Sequence, residues 1–284
     1  MTDMPMQNGN YELGLAGSFL QDLPSSIKRY TYRGESDFFD ILETESTRFE
    51  VSPLASEFLL FHASKETIDT LIENEATSPV AKYLTSFDTN EQLFLVRMPS
   101  TPHSGASVVI HNMIMEAIQP MGLFTSLRGY TSVEVRGASR GKQADYAWGP
   151  RMTARGIPHS PSVTLEVAYS ENDFKLNSDV RFWLNPDDGK ANVCLTLRIG
   201  RSQPEIRIEK WENQNYRIHR SQVIWITKCG NQITAVLSPV ILSTGEKFGV
   251  FTATAKGARG DDLGRPMLVI TLVQTDEGNH PRLR

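Results

Sequence analysis

The sequence predicts an α/β protein (α+β in its extensions) in which a central mixed β-sheet is flanked by helices, and three observations carry that reading. Residues 136–199 run strand, loop, strand, helix, strand, and a helical crossover between strands favours a parallel or mixed sheet. Upstream, Ala106, Val109, Ile110, Met113, Ile114 and Ala117 recur at three- and four-residue intervals, the stripe of a helix with one buried face. After Ile199 the texture turns to β. The expected organisation is an N-terminal extension with a helical subdomain over 1–90, a core over 91–200, and a β-rich C-terminal extension of the same domain over 201–284.

The core elements follow from local pattern. In QADYAW, Asp145 shares a strand face with Gln143 and Ala147, while Ala144, Tyr146 and Trp148 take the other. In SVTLEVA, Val163, Leu165 and Val167 form an apolar face, with Thr164, Glu166 and Ala168 opposite. If these strands pair in one sheet, the carboxylates of Asp145 and Glu166 converge, the arrangement a hard divalent cation requires. Ser170 and Asp173 then give a helix-start signal, and Leu176, Val180, Trp183 and Leu184 follow at helical spacing. NPDDG is a turn by composition, and Val193, Leu195, Leu197 and Ile199 alternate as a third strand.

These motifs resemble the restriction-endonuclease-like superfamily, whose core motif is PD-(D/E)XK. More narrowly, KQADYAW followed by PSVTLEVAYSENDFKLNSDVRFWL is similar to uncharacterised fungal proteins and to a bacterial family, over residues 90–200. The resemblance implies a metal-binding aspartate at Asp145, the motif's (D/E) at Glu166, and magnesium or manganese as cofactor. It also implies an acidic contribution from the first core helix, for which Glu116 is the position. The pattern departs at Ala168, two residues after Glu166, where the superfamily has its lysine. Some branches move that lysine to the following helix, which makes Lys175 a catalytic candidate. A surface ion pair with Asp179, four residues on, is the other reading of Lys175.

Composition sets the bounds. The 284 residues, 39% hydrophobic and 22% charged, suffice for a sizeable core, and no apolar run approaches the roughly 20 residues of a membrane span. The opening MTDMPMQNGNYELG has no basic and apolar leader pattern, so an intracellular protein, cytoplasmic or nuclear, is expected, with no membrane partner. Cys194 and Cys229 read as free thiols and are too few for a zinc site. A net charge of −4 does not advertise a nucleic-acid binder. Locally, however, Arg128, Arg136, Arg140, Lys142, Arg151 and Arg155 face only Glu134 and Asp145. A basic field beside a carboxylate pair suits a phosphate-bearing substrate, with Arg136, Arg140, Lys142 and Arg151 as its contacts; a solvated arginine-rich loop is the alternative. Alternation places Lys142 opposite Asp145 on their strand.

Elsewhere, residues 36–60 mix aromatics and acids and suggest a short helix or strand pair broken at Pro53, and Ser64 caps KETIDTLIENE. A strand over 93–98 ends at Pro99, and His103 stands at the entrance of the following helix, as a site or capping residue. Residues 131–136 form a strand, 205–211 another, a hairpin turns at Gly230 and Asn231, and 267–273 is a last strand. GASRG lacks the P-loop pattern, no H-E-x-x-H occurs, and nothing resembling G-x-S-x-G surrounds Ser170. The expected function is a metal-dependent nuclease-like protein acting on DNA or RNA phosphodiesters. The alternative is a catalytically inactive nuclease-fold module that binds nucleic acid or a protein partner.

Overall fold

Period-2 alternation with apolar residues on both faces, as in Phe58, Leu59, Leu60 and Phe61, marks strands buried from two sides. The computed structural model describes residues 12–14, 19–20, 23–74, 77–131, 133–151, 160–169, 173–229, 232–239 and 251–255. These residues form an α/β protein with two mixed sheets and four helices. One sheet joins β2 (Lys28–Thr31), β3 (Phe58–His62), β5 (Leu93–Arg97), β4 (Leu84–Asp88), β8 (Arg140–Gln143) and β7 (Glu134–Arg136) in that order, with only β2 and β3 parallel among its described pairs.

The other sheet runs β15 (Phe251–Ala255), β14 (Gln232–Pro239), β13 (Arg217–Cys229), β12 (Glu205–Gln214), β11 (Val193–Ile199), β10 (Val163–Ala168), β9 (Tyr146–Pro150) and β6 (Leu127–Thr131), with β1 (Glu12–Leu13) on β13. Its β10 and β11 are parallel, joined through helix α4 (Asp173–Leu184), and β9 lies antiparallel to β10. The expected βαβ crossover is therefore present, and it is what makes this sheet mixed.

Three clusters of buried residues layer the molecule. Helices α1 (Glu35–Val51) and α2 (Lys65–Glu73) cover one face of the six-stranded sheet through Phe38, Phe49, Leu59, Phe61 and Phe94. Phe58, Leu60, Leu93 and Leu95 point the other way, into a core shared with α4 and with Ala147, Cys194 and Trp211 of the nine-stranded sheet. Helix α3 (Thr101–Ile118) covers the remaining face through Ala106, Ile110 and Ile114 against Tyr146, Trp148, Leu165 and Val167.

The N-terminal third differs from a helical extension: it supplies β2, β3 and β4 to the six-stranded sheet, because FLLFH is apolar on both faces. Likewise 35–51 is one continuous helix rather than a short segment, ending before Pro53. Ser64 caps α2, its Oγ accepting from the Thr67 N–H at 3.2 Å. The expected strand over 131–136 is divided between β6 in one sheet and β7 in the other. Ser170 and the expected strand at 267–273 lie outside the described residues, and the side chain of Cys229 is likewise not described; Cys194 is buried and free.

Candidate functional site

Between β8 in one sheet and β9 in the other, the chain is carried by Ala144 and Asp145 alone. The β9–β10 register ends with Leu165 opposite Tyr146. Asp145 comes just before β9 and Glu166 just after Leu165 in β10, and the charge of Asp145 acts on the Glu166 carboxyl. The Val167 N–H donates to Asp145 Oδ2 at 2.7 Å and fixes the carboxylate there.

Cations from the six-stranded sheet and from α3 meet these carboxylates. Arg97, at the end of β5, donates to Asp145 Oδ1, and His103 Nε2, in the first turn of α3, lies 3.0 Å from the same oxygen. The other ring nitrogen of His103 is 3.4 Å from Glu57 Oε1, just before β3, and Glu57 also accepts from the Tyr169 N–H and the Ser100 hydroxyl. On the Glu166 side, Trp183 Nε1 donates to Oε1 at 2.5 Å and Lys142 Nζ lies 3.0 Å from Oε2. Lys142 is also 2.9 Å from Asp179 Oδ1, and Asp179 Oδ2 accepts from Lys175, whose ammonium stands 4.4 Å from the Phe58 ring centre. Four acids thus face four bases along one seam between the sheets.

The seam is dry. Side-chain exposure is 5% for Asp145, 4% for Glu166 and 1% for Lys142, against 24% for Arg97. Burial alone would raise the Asp145 carboxyl, but Arg97, His103 and Lys142 together hold it well below the usual carboxylate range. Burial opposes protonation of His103, yet Asp145 and Glu57 carry it up to about 9, so its imidazolium persists at neutral pH. Glu166 moves the other way: burial, with Asp179 and Asp145 adding to it, pushes its carboxyl up to about 8 against the pull of Lys142 and Lys175.

No family model matches the chain, and no curated protein matches it. Among solved structures it is similar to a candidate nuclease belonging to DUF820 from Anabaena variabilis ATCC 29413, at 10% identity and a TM-score of 0.35, over 48% of this chain and 77% of that one. A likeness at this level leaves function to be decided by the side chains.

Of the residues expected at the site, Asp145 and His103 lie in one set of contacts and Glu166, Lys142 and Lys175 in another, and the charge of Asp145 acts on both Lys142 and Glu166. Lys175 is buried rather than in a surface pair, and its partner Asp179 belongs to the same cluster. Glu116 does not join them: it is exposed, thirteen residues along α3 from His103, about 20 Å by helical rise. Arg136 is exposed and paired with Glu134, Arg140 pairs with Asp88 at 2.8 Å, and Arg151 is exposed at the end of β9. The basic field inferred from sequence is therefore partly neutralised by neighbouring acids. Arg97 and Glu57 were not read from sequence as site residues, and Trp183 was read only as part of the α4 stripe.

The donor chemistry of Asp145 and Glu166, two hard carboxylates, is of the kind a divalent cation takes. Among the described residues, no group of three or more His, Cys, Asp and Glu side chains converges as a ready ligand set. Each of the four carboxylate oxygens already has a protein partner, so an ion would bind only if some of those contacts gave way.

Proposed function

We propose that this chain is a nuclease-like protein whose phosphodiester-directed centre is the Asp145–Glu166 pair, with Lys142 as the site's lysine. The observation that supports it is the position of the Lys142 ammonium, 3.0 Å from Glu166 Oε2. A cation reaches the motif's glutamate from β8, although Ala168 leaves the usual lysine position without one. Asp145 and Glu166 would hold magnesium or manganese, which supplies an activated water and polarisation of the phosphate. Lys142 places positive charge where the attacked phosphate becomes more negative, an effect worth several kcal/mol in a dry site. Arg97 fixes and neutralises Asp145 until substrate or cation draws it away. His103, protonated between two carboxylates, acts as a positioning group and not as a base. DNA or RNA is the substrate class.

The test is cleavage of single- and double-stranded DNA and RNA by the full chain with magnesium and with manganese. Glu166→Gln should abolish cleavage, and Lys142→Gln should lower it at least tenfold, about 1.4 kcal/mol of barrier. Activities are compared where circular dichroism shows the variants folded, since loss of Lys142 also destabilises the seam, and Lys142→Arg is the variant that keeps the charge. A wild-type protein inert on every substrate sinks the reading. The inactive nuclease-fold module then takes over, and one observation favours it already: both carboxylates are buried with all their oxygens engaged.

A further inference from the structure

Two arginines on adjacent strands close on one carboxylate beside the candidate site. Register places them: Ala168 of β10 is paired with Arg198 of β11, Arg198 with Arg207 of β12, and Arg207 with Trp225 of β13. Paired residues share a face of the sheet, and Glu166, two residues before Ala168, shares it too. This row therefore lies about 7 Å along the strands from the row of Glu166, with Arg198 about 5 Å and Arg207 about 10 Å to the side. Arg198 Nη1 is 3.4 Å from Asp173 Oδ1. Arg207 donates to both oxygens of the same carboxylate, from Nη2 to Oδ1 and from Nη1 to Oδ2 at 3.4 Å.

Other contacts hold Arg207 independently of Asp173. Its guanidinium carbon lies 5.4 Å from the centre of the Trp225 ring, and its Nε is 3.4 Å from Glu209 Oε1. That Nε is buried without a hydrogen-bond partner, while Glu209 accepts from Arg220 at 2.7 Å and from the Thr196 hydroxyl at 3.1 Å. Glu205, one row further out on β12, also acts on Arg207. Asp173 differs from Glu209: its side chain is 47% exposed at the first position of α4, so it is the acid of this set that solvent can take over at least cost.

We propose that Arg198 and Arg207 form a phosphate site for a nucleic-acid strand, with Asp173 standing in the place of the phosphate. Guanidinium forks match phosphate oxygens as they match a carboxylate, and the N-terminus of α4 at the same point favours an anion. Measured along the backbone, the two arginines are about 8 and 12 Å from Glu166, which is about two to three nucleotides at the rise of a stacked strand. A strand whose phosphate was attacked beside Glu166 would thus lay a neighbouring phosphate here. The pair stands on its own contacts; its service to the Asp145–Glu166 centre rests on the nuclease reading.

Binding, measured apart from cleavage, is the test. A labelled single-stranded oligonucleotide is titrated with the full chain in the absence of divalent metal over a series of salt concentrations. The wild type should bind, and more weakly as salt rises. Arg198→Gln, changed at a side chain that is 39% exposed, should keep its melting temperature and bind about tenfold more weakly. Its slope of log K against log salt should be shallower by up to about 0.7, the share of one single-strand phosphate contact. Asp173→Asn should bind more tightly than the wild type, and by more than Glu73→Gln, the same change of charge on α2. An Asp173→Asn no tighter than Glu73→Gln would show a purely structural ion pair and overturn the inference. So would a wild type that does not bind, affinity unchanged in Arg198→Gln, or a mononucleotide bound as tightly as the oligonucleotide. A chain that binds the strand in the expected way and cleaves nothing with magnesium or manganese would uphold the phosphate site and remove the nuclease reading.

Discussion

The ammonium of Lys142, on β8 of the six-stranded sheet, lies 3.0 Å from Oε2 of Glu166, on β10 of the nine-stranded sheet. Removing it should leave Asp179, and Glu166 wherever it is ionised, buried without their common cation. Breaking a buried pair from one side costs about 3–5 kcal/mol, whereas replacing both partners is far milder. Lys142→Met should therefore be more destabilising than the double variant Lys142→Met, Glu166→Gln. Denaturant midpoints of the four members of the cycle measure the coupling; additive losses would mean that the contact contributes nothing.

Stability should fall as the pH rises through neutrality. The folded carboxyl of Glu166 titrates near 8, above its ordinary 4.5, so the folded state holds a proton that the unfolded chain releases, and stability declines from about 4.5 up to 8. His103, raised from 6.5 to about 9, adds stability that is complete below 6.5 and lost as the pH passes 9. Both slopes have the same sign between 6.5 and 8. Melting temperatures should drop across that window, with a shallower drop in Glu166→Gln and in His103→Asn; a flat native profile would contradict the shifts.

Metal binding, on the proposed reading, is linked to that same proton. An ion bound to Glu166 requires the carboxylate, so below pH 8 its apparent affinity should rise about tenfold per pH unit and level off above. At ten times its dissociation constant, magnesium or manganese should stabilise the fold by about 1.4 kcal/mol. Thermal melts with and without the ion, at acid and alkaline pH, give the measurement. A shift that persists in Asp145→Asn belongs to some other site.

Gly141, beside Lys142 on β8, admits no side chain. A Cβ there would stand 2.3 Å from Cε1 and Cζ of Phe87, inside any permitted contact. Gly141→Ala should cost about 1–3 kcal/mol by overpacking. Phe87→Leu in the same chain should recover part of that loss, and equal stability of the single and double variants would show that the ring is not the obstacle.

What the sequence disclosed was what local period can carry. Val163, Leu165 and Val167 announced β10, and the spacing of Leu176, Val180 and Trp183 announced α4, because each is a stripe facing one neighbour. Glu57 was not legible: it sits at a strand end, and the Tyr169 N–H that it receives lies 112 residues away. Arg97 likewise acquires meaning only when Asp145 arrives beside it, whereas His103 was named from its place at the entrance of α3 and gains its partner there. Lys142 is the instructive case. Alternation placed it opposite Asp145, on the assumption of one unbroken strand, but the chain changes sheets at Ala144 and Asp145, and the parity is lost there. Its ammonium therefore reaches Glu166 from the other side of the seam.

That two-residue junction also governs how the seam can form. At about 3.3 Å per residue, the last pairing of one sheet and the first of the other are leashed within about 10 Å. Docking of the sheets is consequently an intramolecular event at high effective concentration, with little loop to close. The acids and bases need no search for one another once β8 and β9 have found their partners. Lengthening the leash with a flexible insert would leave every contact chemically possible and yet dilute the encounter that brings them together.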